Sequence, residues 1–191
     1  MATASKIAAE NQQVIMGAGD WFVKEYESGE VNCEAVCVDE NYAGETQGGA
    51  TVEYTPTTYT IEDDRGKLRR TFMVKADAKM KTGLLTIDVK SIGSLMSVGV
   101  LTVNEEMNKR ILKLGGGRAE LKRFVVVFRY PKDEAKGLYI YVGMVATNTS
   151  PLTLAFVKDK ETVQDLEYTA DTNGVDDTIL VIEEDVEPAA Q

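Results

Sequence analysis

The chain has 191 residues, 43% of them hydrophobic, enough for one packed core and short for two, so a single domain over residues 1–191 is expected. Its 31 acidic residues outweigh 21 basic ones for a formal charge of −10, which works against a sequence-independent grip on nucleic-acid phosphates. With no histidine, the commonest general base and the commonest metal ligand are both missing, and most hydrolytic and zinc chemistries lose their usual parts.

No stretch of about 18 apolar residues occurs, and no leader with a basic start and apolar centre, so a soluble chain made in the cytosol is expected. Residues 1–13 are small and polar without apolar periodicity, the composition of a flexible arm. Gly17-Ala18-Gly19 then breaks the backbone before residues 20–26, read as the first core strand. A phosphate loop would need a Lys-Ser/Thr pair and a helix after those glycines, and neither follows. Residues 27–50 read as one long connection, the kind of segment that is either disordered or functional in a compact domain. Cys33 and Cys37 lie in it. Their CxxxC spacing has no second pair to complete a four-ligand metal site, so free thiols are expected.

Residues 49–61 are rich in Thr, Tyr, Val and Ile, which fit a pleated, half-buried surface. Asp63, Asp64 and Gly66 supply turn chemistry, and the chain returns over 67–85 to make a long hairpin. Pro56 cannot donate to a ladder, so its strand lies on an edge or is broken there. Residues 86–99 predict a helix of about three turns: Thr86 or Asp88 can cap it, Val89, Ile92, Leu95 and Met96 share a face, and Gly99 suits a left-handed C-cap. Gly93 inside it costs about 1 kcal/mol relative to Ala, so that face must dock on the flank of a sheet.

Beyond a short apolar stretch at 100–103, strands are predicted at 110–114, 121–130, 138–146, 152–157, 163–170 and 179–182. The run 121–130 is apolar enough to be central. Residues 184–191 form an acidic tail. This pattern predicts a mainly β chain: a two-sheet β-sandwich or flattened barrel of seven to eight strands with one flanking α-helix. The carboxylate pairs Asp63-Asp64 and Asp176-Asp177 fall on turns, where adjacent acids are solvated or at most hold Ca²⁺ loosely. No catalytic, cofactor or metal residue is assigned. Tyr54, Tyr59, Tyr139 and Tyr141 suggest an alternative, a β-sandwich module that stacks a carbohydrate or protein ligand on its tyrosines.

Gly17-Ala18-Gly19-Asp20-Trp21 opens the first strand, and Gly44-Glu45-Thr46-Gln47-Gly48-Gly49 leads into Val52-Glu53-Tyr54-Thr55-Pro56. A helix follows the hairpin, Leu114-Gly115-Gly116 precedes Phe124-Val125-Val126-Val127-Phe128, and Ile182-Glu183-Glu184-Asp185 comes last. In order and spacing, over residues 14–185, these features resemble the major tail tube proteins of long-tailed bacteriophages. The resemblance implies a structural virion protein and not an enzyme: homo-hexameric rings stacked into the hollow tail tube, through which DNA passes without specific binding. It further implies assembly in the host cytoplasm, location in the virion tail, and contact with tape measure and tail terminator or baseplate proteins.

An exposed hairpin edge suits head-to-tail assembly of this kind. The self-assembly contacts are expected at Glu45, Thr46, Glu53, Tyr54, Tyr59, Glu62, Arg69, Arg70 and Lys75. The basic residues of the return strand, Lys67, Lys79 and Lys81 among them, are expected to meet Glu45, Glu53 and Glu62 of a neighbour rather than to line the channel.

Overall fold

The computed structural model describes residues 19–65, 67–85, 92–93, 95–104, 108–115, 121–153, 158, 162–171 and 179–183. The N-terminal arm, half of the helix expected over 86–99, most of the strand at 152–157, the Asp176-Asp177 pair and the acidic tail lie outside them. Nine strands are described: β1 (Asp20–Glu25), β2 (Thr46–Glu62), β3 (Arg69–Leu84), β4 (Val100–Asn104), β5 (Lys109–Lys113), β6 (Arg123–Asp133), β7 (Leu138–Asn148), β8 (Gln164–Ala170) and β9 (Leu180–Glu183). A single-turn helix, α1 (Cys33–Val36), sits between β1 and β2. The chain is mainly β, as expected.

Seven strands form one sheet in the order β1-β6-β7-β8-β3-β2, each neighbouring pair antiparallel. The second edge of β7 is shared, with β9 pairing residues 140–143 and β8 pairing 146–148. β4 and β5 make a separate two-stranded ribbon.

Alternation along a strand sends successive side chains to opposite faces, so an unbroken apolar run needs burial on both. β6 meets that need. Phe124 and Val126 join Trp21, Val23, Met80, Met144, Leu166 and Tyr168 in one core cluster, while Val125 and Val127 join Phe22, Val31, Cys33, Val36, Tyr141 and Val145 in another. The first cluster is closed by curling of the sheet. At about 4.8 Å per strand, β1 and β8 would stand about 14 Å apart in a flat sheet. Instead the Trp21 and Tyr168 rings approach to 6.1 Å between centroids. The second cluster is roofed by α1, whose Asn32 cap accepts a hydrogen bond from the Ala35 N–H at 3.0 Å.

Residues 27–50 are therefore not one open connection, contrary to the reading of the sequence. Val31, Cys33, Val36 and Ala43 are buried, and the Ala43 N–H donates to the Trp21 carbonyl at 2.9 Å, covering part of the outer edge of β1. Four helical residues are too few to show a period, which hid α1 from the pattern. Pro131 likewise does not end its strand: β6 runs through to Asp133, with a register shift between Pro131 and Asp133.

Of the expected flanking helix, Ile92, Gly93 and Leu95 are described and helical. The turn docks as its apolar face requires, with Leu95 in the core. Asn148 Nδ2 and the Tyr168 hydroxyl both donate to the Leu95 carbonyl, at 2.8 and 3.2 Å, and the Asn148 N–H donates to Ser97 Oγ at 2.8 Å. Two buried side chains of the sheet thus satisfy a carbonyl that a helix end leaves open. Among the described residues no helix is long and apolar enough to cross a membrane.

Gly143 is fixed by space: a Cβ there would lie 2.5 Å from Cys33 Sγ. Gly143→Ala is expected to destabilise the fold by about 1–3 kcal/mol, because neither the strand nor the roof of the core can give way freely. Adding Cys33→Ala should recover part of that loss. Urea unfolding of the two variants against the parent measures both effects.

Candidate self-assembly surface

The hairpin of β2 and β3 is held at its base and free at its far end. β8 pairs β3 only over residues 79–84, and among the described residues nothing pairs the outer edge of β2. At the base, Gly48 (φ 82°) and Gly49 (φ 72°) take the left-handed conformation within the register shift between Gln47 and Ala50. Thr82 Oγ1 then donates to the Gly49 carbonyl at 2.9 Å. From Tyr54 outward the hairpin is a two-stranded ribbon about 30 Å long, at about 3.4 Å per residue. Pro56 lies on this continuous edge strand and does not break it. At the far end, the Leu68 N–H donates to Asp63 Oδ1 at 2.8 Å, so one of the paired turn acids is spent on the turn itself.

Both faces of the ribbon expose large apolar side chains. The face continuous with the core carries Tyr54, whose hydroxyl donates to Met73 Sδ at 3.5 Å. The opposite face carries the cross-strand pair Tyr59 and Phe72, with Ile61 beside them. Tyr59 is 60% exposed, Phe72 49% and Met73 60%. A register shift between Thr57 and Thr58 adds a residue on β3, where Val74 is exposed as well. Phe72, Met73, Val74 and Ile61 are not among the contact residues expected from the sequence, and their exposure adds them to this surface.

The nine expected contact residues are spread along the hairpin from base to tip, on both of its faces. Glu45 and Thr46 lie at the base, where the Leu85 N–H donates to the Glu45 carbonyl at 2.8 Å. Tyr54, Tyr59, Glu62, Arg69 and Arg70 lie along the free ribbon, Glu62 opposite Arg69 and Ile61 opposite Arg70. The charge pairing differs from expectation at several positions. Lys81 Nζ bonds Glu53 at 3.0 Å, Lys79 bonds Glu167 at 2.6 Å, and Lys75 bonds Asp77 at 2.6 Å, all within one chain. The hydrogen bond to Lys79 lowers the Glu167 pKa, and the one to Glu53 raises that of Lys81. Glu53, Lys75, Lys79 and Lys81 therefore already have partners, whereas Arg69 and Arg70 of β3 are exposed and make no ion pair with a described residue.

The four tyrosines of the stacking alternative do not share a surface. Tyr54 and Tyr59 lie on opposite faces of the ribbon, whereas Tyr141 is buried in the core and Tyr139 packs against it and beneath the Arg129 guanidinium, 4.8 Å from its ring centroid. Arg129 also lies over Phe22 at 4.9 Å and donates twice to Asp20 Oδ2, at 3.2 and 2.6 Å, so the cluster is a clamp between β1, β6 and β7.

Both cysteines are free thiols. Burial pushes the Cys37 thiol up to about 11, against the opposing pull of nearby Arg129. A thiol raised in the folded state is stabilising while neutral, so this contribution is whole below pH 9 and is lost as pH rises toward 11. Stability is expected to fall on the order of 1–2 kcal/mol across that window, and Cys37→Ala should flatten that part of the profile. Urea titrations at pH 8 and pH 10.5 read the difference. Buried Tyr168 is raised too, so its loss adds at the alkaline end in both proteins.

No protein-family model matches the chain, and no curated protein is similar to it.

Proposed function

We propose that this chain is a structural subunit of the tail-tube kind, forming rings that stack into a hollow conduit for DNA. One observation carries the reading: a two-stranded ribbon about 30 Å long projects from the sheet with apolar side chains on both faces and, among the described residues, no strand paired to either edge. Such a ribbon is marginally stable alone in water. A long exposed apolar edge also invites pairing, and proteins that stay monomeric blunt or cover theirs. Neighbouring copies around a ring would cover both faces and both edges at once. The order of elements that resembles the tail tube proteins of long-tailed phages supports the same conclusion, and so does the acidic charge. A hexameric ring would carry six times −10, or −60, and would let DNA slide instead of gripping its phosphates.

Sedimentation across a concentration series, with negative-stain imaging of the largest species, tests the proposal. Rings or hollow tubes are expected at high concentration, together with no tight binding of duplex DNA at physiological salt. A chain that remains monomeric at millimolar concentration overturns the assembly, and tight DNA binding overturns the sliding conduit.

A further inference from the structure

Charge on this chain is segregated. Residues 25–45 hold seven Asp or Glu and no Lys or Arg. In the structure Glu27, Glu30, Glu34 and Asp39 of this segment are exposed, with Val38 45% exposed among them. None of those four acids is in an ion pair with a described residue. A cleft of about 260 Å³ opens between this loop, α1 and β6, lined by Lys24, Glu27, Glu30, Asn32, Val36 and Val125 among others.

The ribbon of β4 and β5 has the opposite character. Its described residues carry Lys109, Arg110 and Lys113 and no acid; Glu105 and Glu106 belong to the connection at its end, outside the described residues. One face lies inward, Leu101 and Leu112 approaching Gly93. Strand alternation and register put Val100, Thr102, Lys109, Ile111 and Lys113 together on the other face. Val100 there is 64% exposed and Ile111 41%. Lys109 and Lys113 make no ion pair with a described residue.

These two surfaces stand on opposite faces of the main sheet. α1 covers the face of Val125 and Val127, while the turn that carries the β4-β5 ribbon packs through Leu95 on the face of Phe124 and Val126. A surface and its complement on opposite faces describe a head-to-tail contact between copies. We infer that the β4-β5 face of one copy docks on the α1 surface of the next, Lys109 and Lys113 meeting Glu27, Glu30 and Glu34 while Val100 and Ile111 cover Val38. The inference rests on the self-assembly proposed above and adds a second contact to it, distinct from the β2-β3 hairpin.

Charge reversal tests the contact. Lys109→Glu with Lys113→Glu is expected to raise the concentration for half-assembly at least about tenfold, and Glu27→Lys with Glu30→Lys to do the same. All five residues named for the ion pairs lie at exposed positions, so far-UV spectra of the variants should match the parent. The chain with all four reversals should assemble within about threefold of the parent, and an equimolar mixture of the two double variants should co-assemble by alternation where neither assembles alone, because each surface of one variant then meets its complement on the other. Unchanged assembly in either double variant, or failure of the four-fold reversal to restore it, overturns the contact while leaving the assembly of the parent standing. A parent chain that never self-associates overturns both.

Discussion

Tyr59→Ser combined with Phe72→Ser is expected to leave the subunit folded and to abolish its assembly. The two rings face each other across the hairpin, 60% and 49% exposed, beyond the last residue of β3 that β8 holds. Within the monomer such a pair contributes about 0.2–1 kcal/mol of cross-strand contact, so the midpoint of urea unfolding should shift only slightly. At an interface, a central aromatic residue that becomes fully buried contributes about 2 kcal/mol or more, and two of them together weaken association about 1,000-fold. Sedimentation and unfolding of the same sample separate the two effects. Unaltered assembly would show that this face of the ribbon touches no neighbour, and a collapsed monomer would show that the pair belongs to the fold.

Trp21→Ala is expected to cost about 3–5 kcal/mol, a large share of the stability of a domain this size. Trp21 is fully buried and joins β1 to β8, which sheet order holds apart, its ring 6.1 Å from Tyr168 on β8 and 6.3 Å from its cross-strand neighbour Phe128 on β6. Without the indole, β1 and β8 lose the contact that closes the curl. The Nε1–H has no hydrogen-bond partner among the described residues, so part of what the side chain brings is offset by an unmet donor. Trp21→Phe discards that donor and keeps a ring, and should cost far less than Trp21→Ala. Urea unfolding ranks the two; equal losses would mean that ring packing is not what Trp21 supplies.

Much of the β architecture was legible in local pattern. The Thr, Tyr and Val alternation over 49–61, the Asp-rich turn after it, and the unbroken apolar run that became β6 each specify their element through nearest neighbours in the chain. Pro56 excluded a central position and left an edge, and the structure places it on one. The candidate surface was legible only in part. Periodicity shows that one face of a strand is apolar without showing what lies opposite it, so the pattern around Phe72 and Met73 does not tell that no layer covers them. Ion pairs were less legible still: Lys81 finds Glu53 across 28 positions and Lys79 finds Glu167 across 88, separations that no window on the sequence spans.

The sequence by itself determined that this chain folds mainly as strands, where its long hairpin turns, and that its chemistry would not rest on histidine, because each depends on residue type and short-range geometry. Tertiary structure alone decided that the sheet curls until β1 and β8 meet, that a four-residue helix roofs the second core, and that the hairpin runs past β8 with both faces uncovered. Those outcomes depend on which distant strands become neighbours and on where each one stops, and strand order and overhang are properties of the packed sheet that local pattern does not encode.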